Sequence, residues 1–230
     1  MNVDASDIRR ILIYVFVLIV SVALHEFGHA IMATWLGDET PRRQGRVTLN
    51  PIAHMDPIGT LLVPVVGGLY AAATHGLGGG FGWGKPVQWQ PSRIDRKWKM
   101  TTAQILVAIA GTAMNVALGL TIALVHVILM WRHVVAPAGT LSQMLVFAVT
   151  TNFVLFFFNL IPAPPLDGGH VAEGLTPYKH RASFEAFARF GPFVVMAVAF
   201  IPRLAQIFMI PADFCAEHVY NVLFRLFGMM

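Results

Sequence analysis

Residues Ile11 to Leu36 form a predominantly apolar run that is interrupted by one turn, His25-Glu26-Phe27-Gly28-His29. A bilayer needs about 20 such residues in a helix, so the run is long enough to cross one, and Gly37-Asp38 closes it. Ionisable side chains at membrane depth cost a few kcal/mol each even on lenient scales, and they mark function by default. Residues four apart share one helix face, so His25 and His29 can grip one metal ion from the same side. Glu26 stands beside the first of them, where its carboxylate can take a proton from an activated water.

The rest of the composition fits a membrane protein. The 230 residues are 56% hydrophobic and 12% charged, too apolar for an ordinary soluble domain. The expected fold is all-α and polytopic: about four to six transmembrane helices, a glycine-rich re-entrant region and short membrane-associated β segments. Residues 1–230 read as one integral-membrane domain, with a core over about 11–175 and C-terminal helices over 184–230. The formal charge is +4, but the basic residues cluster in loops beside apolar runs. They read as topology signals and lipid head-group contacts, and no nucleic-acid partner is expected. The single cysteine, Cys215, excludes an internal disulfide and a cysteine metal cluster. Arg9 and Arg10 precede the first apolar run, and Ser21-Val22-Ala23 resembles a leader cleavage site. Cleavage there would strip the His25 helix of its membrane-spanning half, so the run is read as a span.

Beyond Asp38 the chain is polar and basic to Asp56, with an alternating piece, Val47 to Asn50, that reads as a short strand. Ile58 to Thr74 is apolar but broken by Gly59, Pro64, Gly67 and Gly68, and it leads into the glycine run Gly76 to Gly84. Such backbone is tolerated at membrane depth only where protein or a water-filled cavity covers it. Val87 to Gln90 is a second possible strand. Long apolar helices are expected over Thr101–Trp131, Leu141–Ile161 and Phe184–Ile210, the last bent near Gly191-Pro192 and Pro202. Asp213 to Met230 reads as an amphipathic piece on the membrane surface.

A catalytic zinc takes three protein ligands and keeps one position open, and H-E-x-x-H supplies two. Asp167 is the candidate third: it is the only acidic residue between Asp95 and Glu173, and prolines and glycines flank it. For it to reach the metal, the ends of the first helix and of Leu141–Ile161 must lie at one membrane face. Two complete spans between those helices would separate the ends, so Ile58 to Gly84 is expected to return to the face it left. Most loop Lys and Arg residues then fall on one side, which the positive-inside rule makes cytosolic. Arg9 and Arg10 run against that orientation.

At this point the chain resembles the site-2 protease family of intramembrane metalloproteases. The resemblance is carried by His25-Glu26-Phe27-Gly28-His29, by Asn159-Leu160-Ile161-Pro162 and Pro165-Leu166-Asp167-Gly168, and by Asn115 following Gly111. Gly45-Arg46-Val47-Thr48-Leu49-Asn50-Pro51, Asp56-Pro57-Ile58-Gly59-Thr60 and Phe81-Gly82-Trp83-Gly84-Lys85-Pro86-Val87 are similar to its compact prokaryotic branch. It covers about residues 20 to 175. The resemblance implies one zinc ion held by His25, His29 and Asp167, Glu26 as general base, and regulated cleavage of a substrate's transmembrane helix in a prokaryotic cytoplasmic membrane. Thr112 departs from the family's usual proline, and no PDZ or CBS domain is recognised.

The oxyanion of amide hydrolysis needs donors beyond the metal. Asn159 and Asn115 are the candidates, an amide adding no net charge to an apolar helix. His54 and His170 lie close enough in sequence to the motifs to be second-shell candidates; His126, His133, His180 and His218, with His75, read as boundary or loop residues. A helical substrate must unwind, and the two strand-like segments offer edges to which an extended peptide can pair. The competing reading is a metal-binding membrane transporter or sensor built on the same His and Asp groups, which has no need of Glu26.

Overall fold

The computed structural model describes residues 4–74 and 82–229. Helix α1 (Ala5–Trp35) begins at a reciprocal cap that the sequence Asp-Ala-Ser-Asp writes. Asp4 accepts hydrogen bonds from the Ser6 and Asp7 amides, and Asp7 accepts one back from the Asp4 amide. It stops at Leu36, after which Gly37 adopts φ +111° with Asp95 pressed against it. A side chain there would be strained by the backbone alone, whatever the space.

The polar stretch after α1 folds as a short helix α2 (Thr40–Arg43), a wide turn over Pro57–Leu62 and helix α3 (Val63–Thr74). The turn runs straight into α3, and the apolar helix over Pro57–Tyr70 covers about 20 Å, short of a hydrocarbon core of about 30 Å. The Asp95 amide donates to the Leu36 carbonyl at 2.9 Å. Residues 37–95 therefore leave and return at one end of the bundle, as the ligand geometry requires. His75 and the glycines from Gly76 to Gly80 lie outside the described residues.

Helix α4 (Met100–Trp131) runs back along α1, its first turns packing Ala103 and Val107 against Ala33 and Leu36. The two helices approach closely: a Cβ on Gly28 would lie 2.6 Å from the Ala110 carbonyl oxygen. Helix α5 (Thr140–Asn159) returns along α4, and α6 (Asp167–Leu175) then folds over the first turns of α4, where Gln104 donates to Glu173 at 2.8 Å. Helices α7 (Arg181–Ala188), α8 (Gly191–Phe200) and α9 (Pro202–Leu226) follow.

The chain is an integral membrane protein with an all-helical fold. Helices α1, α4 and α5 are each long and apolar enough to cross a bilayer, and α8 with α9, bent by 70°, form one further candidate. Three expectations fail. Residues 213–226 are not a separate surface piece but belong to α9, which packs Ala212, Ala216 and Tyr220 against Ala123, Val127, Val149 and Phe153. His126 is not a boundary residue; it is buried within α4. No strand forms among the described residues. Asn50 caps the turn at Pro51 instead of extending a strand, and the Val87 and Gln90 amides donate to carboxylates rather than to a neighbouring strand.

Candidate metal centre

His25 and His29 lie on the face of α1 that meets α4, and each has one ring nitrogen fixed by that helix. His29 Nδ1 donates to the Val107 carbonyl at 2.7 Å, and a carbonyl can only accept. His25 Nδ1 lies 2.7 Å from Asn115 Oδ1. The direction of that bond is fixed by a chain of amides: Asn152 Nδ2 donates to the Ala148 carbonyl, and Asn115 Nδ2 donates both to Asn152 Oδ1 and to the Ser21 carbonyl. Asn115 Oδ1 is left to accept, so His25 Nδ1 carries a proton as well. In the neutral rings both Nε2 atoms then present lone pairs.

Those lone pairs face each other. The two Nε2 atoms are 3.0 Å apart, and the Asp167 carboxylate lies 3.2 Å from one and 3.3 Å from the other. One oxygen of Asp167 is buried without a hydrogen-bond donor, with His25 Nε2 3.2 Å away. Two imidazole lone pairs and a carboxylate converging without a proton are mutually repulsive unless a cation sits among them. All three ligand atoms fall within 4.8 Å of one another. The donor set of two nitrogens and one oxygen suits zinc, with each histidine oriented through its other nitrogen.

Local sequence explains how the third group arrives. Asp167 opens α6, and the following glycine pair lets that turn close on the loop before it. A Cβ on Gly168 would lie 2.6 Å from the Ile161 carbonyl oxygen, and one on Gly169 2.7 Å from the Ala163 carbonyl carbon. Gly111 does the same for α4: any side chain there would collide with the His29 ring.

Glu26 faces the segments that carry Arg46 and Val87. Its Oε2 accepts from the Val87 amide at 3.0 Å and lies 3.8 Å from Arg46, and both residues are buried. His54 is fully buried in the neighbouring loop, donates from Nε2 to the Thr48 carbonyl at 2.9 Å, and touches none of the three converging groups. Burial pushes its imidazole below the ordinary histidine range. His170 is exposed, 3.7 Å from Glu173, and the structure does not bring it into the cluster. Asn159 ends α5 with one amide hydrogen on the Leu155 carbonyl. Both amide hydrogens of Asn115 are taken, so it has none left for an oxyanion. Arg46, Asn152 and the Val107 carbonyl were given no part in the site from the sequence, where Asn152 stood out only as an amide on one face of its apolar helix with Asn159.

Residues 123–202 match the model of peptidase family M50. The chain is 36% identical over 203 residues to YwhC of Bacillus subtilis (strain 168), whose name proposes a zinc metalloprotease; the match covers 86% of this chain and 84% of that protein. It is 32% identical over 213 residues to Rip2 of Mycolicibacterium smegmatis, named in the same way, covering 89% and 75%. Against Rip2 of Mycobacterium tuberculosis (strain H37Rv) the identity is 35% over 167 residues, 71% of this chain and 58% of that one. No solved structure matches at the same stringency.

Proposed function

The chain belongs to peptidase family M50, the site-2 protease family of intramembrane zinc metalloproteases, and from that premise we propose that His25, His29 and Asp167 hold its zinc ion and that Glu26 is its general base. The observation that carries this reading is the convergence of the two histidine Nε2 atoms and the Asp167 carboxylate within about hydrogen-bond distance of one another. Bound there, zinc supplies a Lewis acid that acidifies water and polarises a scissile carbonyl.

The chain's own groups do the rest. Glu26 takes the proton of the attacking water and returns it to the leaving nitrogen, a role that general acid–base groups perform with gains of about 10²–10⁴. Asn115 and Asn152 act by holding His25 in one tautomer. Asn159 keeps an amide hydrogen for the oxyanion, since only one is bound to Leu155. The segment from Gly82 to Gln90 is tied through the Val87 amide to Glu26 on α1 and through the Gln90 amide to Asp38 just past that helix, and the Gln88 and Trp89 amides between them have no partner among the described residues. That free edge suits an unwound stretch of a substrate's transmembrane helix. Prolines placed at Gln88 and Trp89 should lower cleavage while leaving zinc bound; unchanged turnover would sink the edge reading.

The protein works as one membrane-embedded peptidase unit with its core over residues 11–175. Its polar end, carrying Arg42, Arg43, Lys85, Arg93, Arg96, Lys97 and Lys99, faces the cytosol of a prokaryotic cell by the positive-inside rule. Water reaches the site from that end. The test is purified protein in detergent with single-span membrane substrates, comparing wild type with Glu26→Gln. Cleavage by the wild type alone, with equal zinc in both, supports the reading; equal cleavage by both ends it.

A further inference from the structure

Arg46 looks in the sequence like one more loop cation, yet it is only 5% exposed. Its placement begins at Gly45, whose φ of +68° ends α2 in a left-handed residue while the Arg46 amide reaches back to the Pro41 carbonyl at 2.9 Å. That is a Schellman-type stop, and it turns the next side chain inward. The guanidinium then forks. Nη1 donates to the Ala53 carbonyl at 2.6 Å, Nη2 donates to the Lys85 carbonyl, and Nη2 also faces Glu26 Oε2 at 3.8 Å.

A buried cation without a counter-charge is costly, and Glu26 is the carboxylate with which Arg46 pairs. Lys85 lies two residues before Val87, whose amide donates to the same Glu26 oxygen. Arg46 thus acts on Glu26 twice, by charge directly and by fixing the backbone that supplies its hydrogen bond. A lysine could keep the charge but not the fork to two carbonyls.

We propose that Arg46 is the positioning residue for Glu26, tying its carboxylate, the Ala53 loop and the Lys85–Val87 backbone into one fixed arrangement. The proposal rests on the reading of Glu26 as general base. It concerns orientation of the base: the Arg46 guanidinium meets Glu26 and the Ala53 and Lys85 carbonyls.

The test uses the full chain in detergent, as Arg46→Met and Arg46→Lys, each also combined with Glu26→Gln, with zinc content, kcat, KM and thermal midpoint measured for every variant. Arg46→Met should retain one zinc per chain and an unchanged KM while kcat falls by about 10- to 100-fold, the scale expected when a reacting group is misplaced by about 1 Å. Arg46→Lys should recover part of that loss. Arg46→Met should lower the midpoint by less in the Glu26→Gln background than in the wild type, because the charge it would orphan is already gone. An unchanged kcat, a loss confined to KM or zinc, or strictly additive midpoints would overturn the proposal. If Glu26→Gln cleaves as well as the wild type, the general-base reading falls by itself, and the midpoints alone decide whether Arg46 and Glu26 are tied.

Discussion

Two groups of buried histidine stand in the same apolar bundle and are finished differently. In the cluster at α4, α5 and α9, His126 has both ring nitrogens occupied, Nδ1 with the Tyr220 hydroxyl and Nε2 with the Ser142 hydroxyl, each at 2.8 Å. Its hydrogen bonding is complete. In the pair on α1, each ring has one nitrogen bound at 2.7 Å, and the two Nε2 atoms turn toward each other and toward Asp167. A closed polar cluster holds helices together; an open one presents lone pairs to something else. Apolarity of the surrounding helix alone does not separate the two, since both occur in membrane helices of similar hydropathy.

The contrast is broken or sharpened by substitution. The largest effect is expected at the open cluster: His29→Ala or Asp167→Ala should abolish both zinc binding and cleavage, measured as metal content of the purified chain and turnover of a single-span substrate. Glu26→Gln should separate those readouts, with zinc kept and kcat reduced by about 10²–10⁴. Asn115→Leu removes the acceptor that fixes His25 without touching the zinc ligands, and should cost about 10- to 100-fold in zinc affinity or activity, as outer partners of metal ligands do. Gly111→Ala drives a methyl group into the His29 ring and should weaken zinc binding too, with α1 still able to yield. At the closed cluster, Tyr220→Phe should leave zinc and kcat unchanged and lower stability by about 1 kcal/mol, the usual worth of one hydrogen bond. A loss of zinc there would dissolve the distinction.

How much of this the sequence carried differs by residue. The converging histidine pair was legible because i, i+4 spacing in a helix is a fixed geometry, and the approach of Asp167 to it because an apolar stretch left that residue no acidic competitor. The return of 37–95 to one end followed from requiring those ligands to meet, and the Asp95 to Leu36 bond shows it. Asn115 was noticed but its use was not: an amide in an apolar helix signals that hydrogen bonds are made, and only the neighbouring carbonyls decide with whom. Arg46 was hidden for the opposite reason. Amid Arg42, Arg43 and several lysines it looked like surface charge, and its burial depends on the left-handed turn at Gly45 and on two carbonyls distant in sequence. The strands expected over 47–50 and 87–90 failed because alternation registers which side chains face inward and says nothing of where the amides go: Asn50 is spent capping the turn at Pro51, and carboxylates take the Val87 and Gln90 amides.

Zinc-edge X-ray absorption on the Glu26→Gln protein, loaded with one zinc per chain and unable to turn over, tests the central claim most directly. The account predicts a low-coordinate site with two imidazole nitrogens and oxygen ligands, losing one imidazole in His25→Ala. Sulfur scattering from Cys215, or an all-oxygen shell unchanged by His25→Ala, would contradict it.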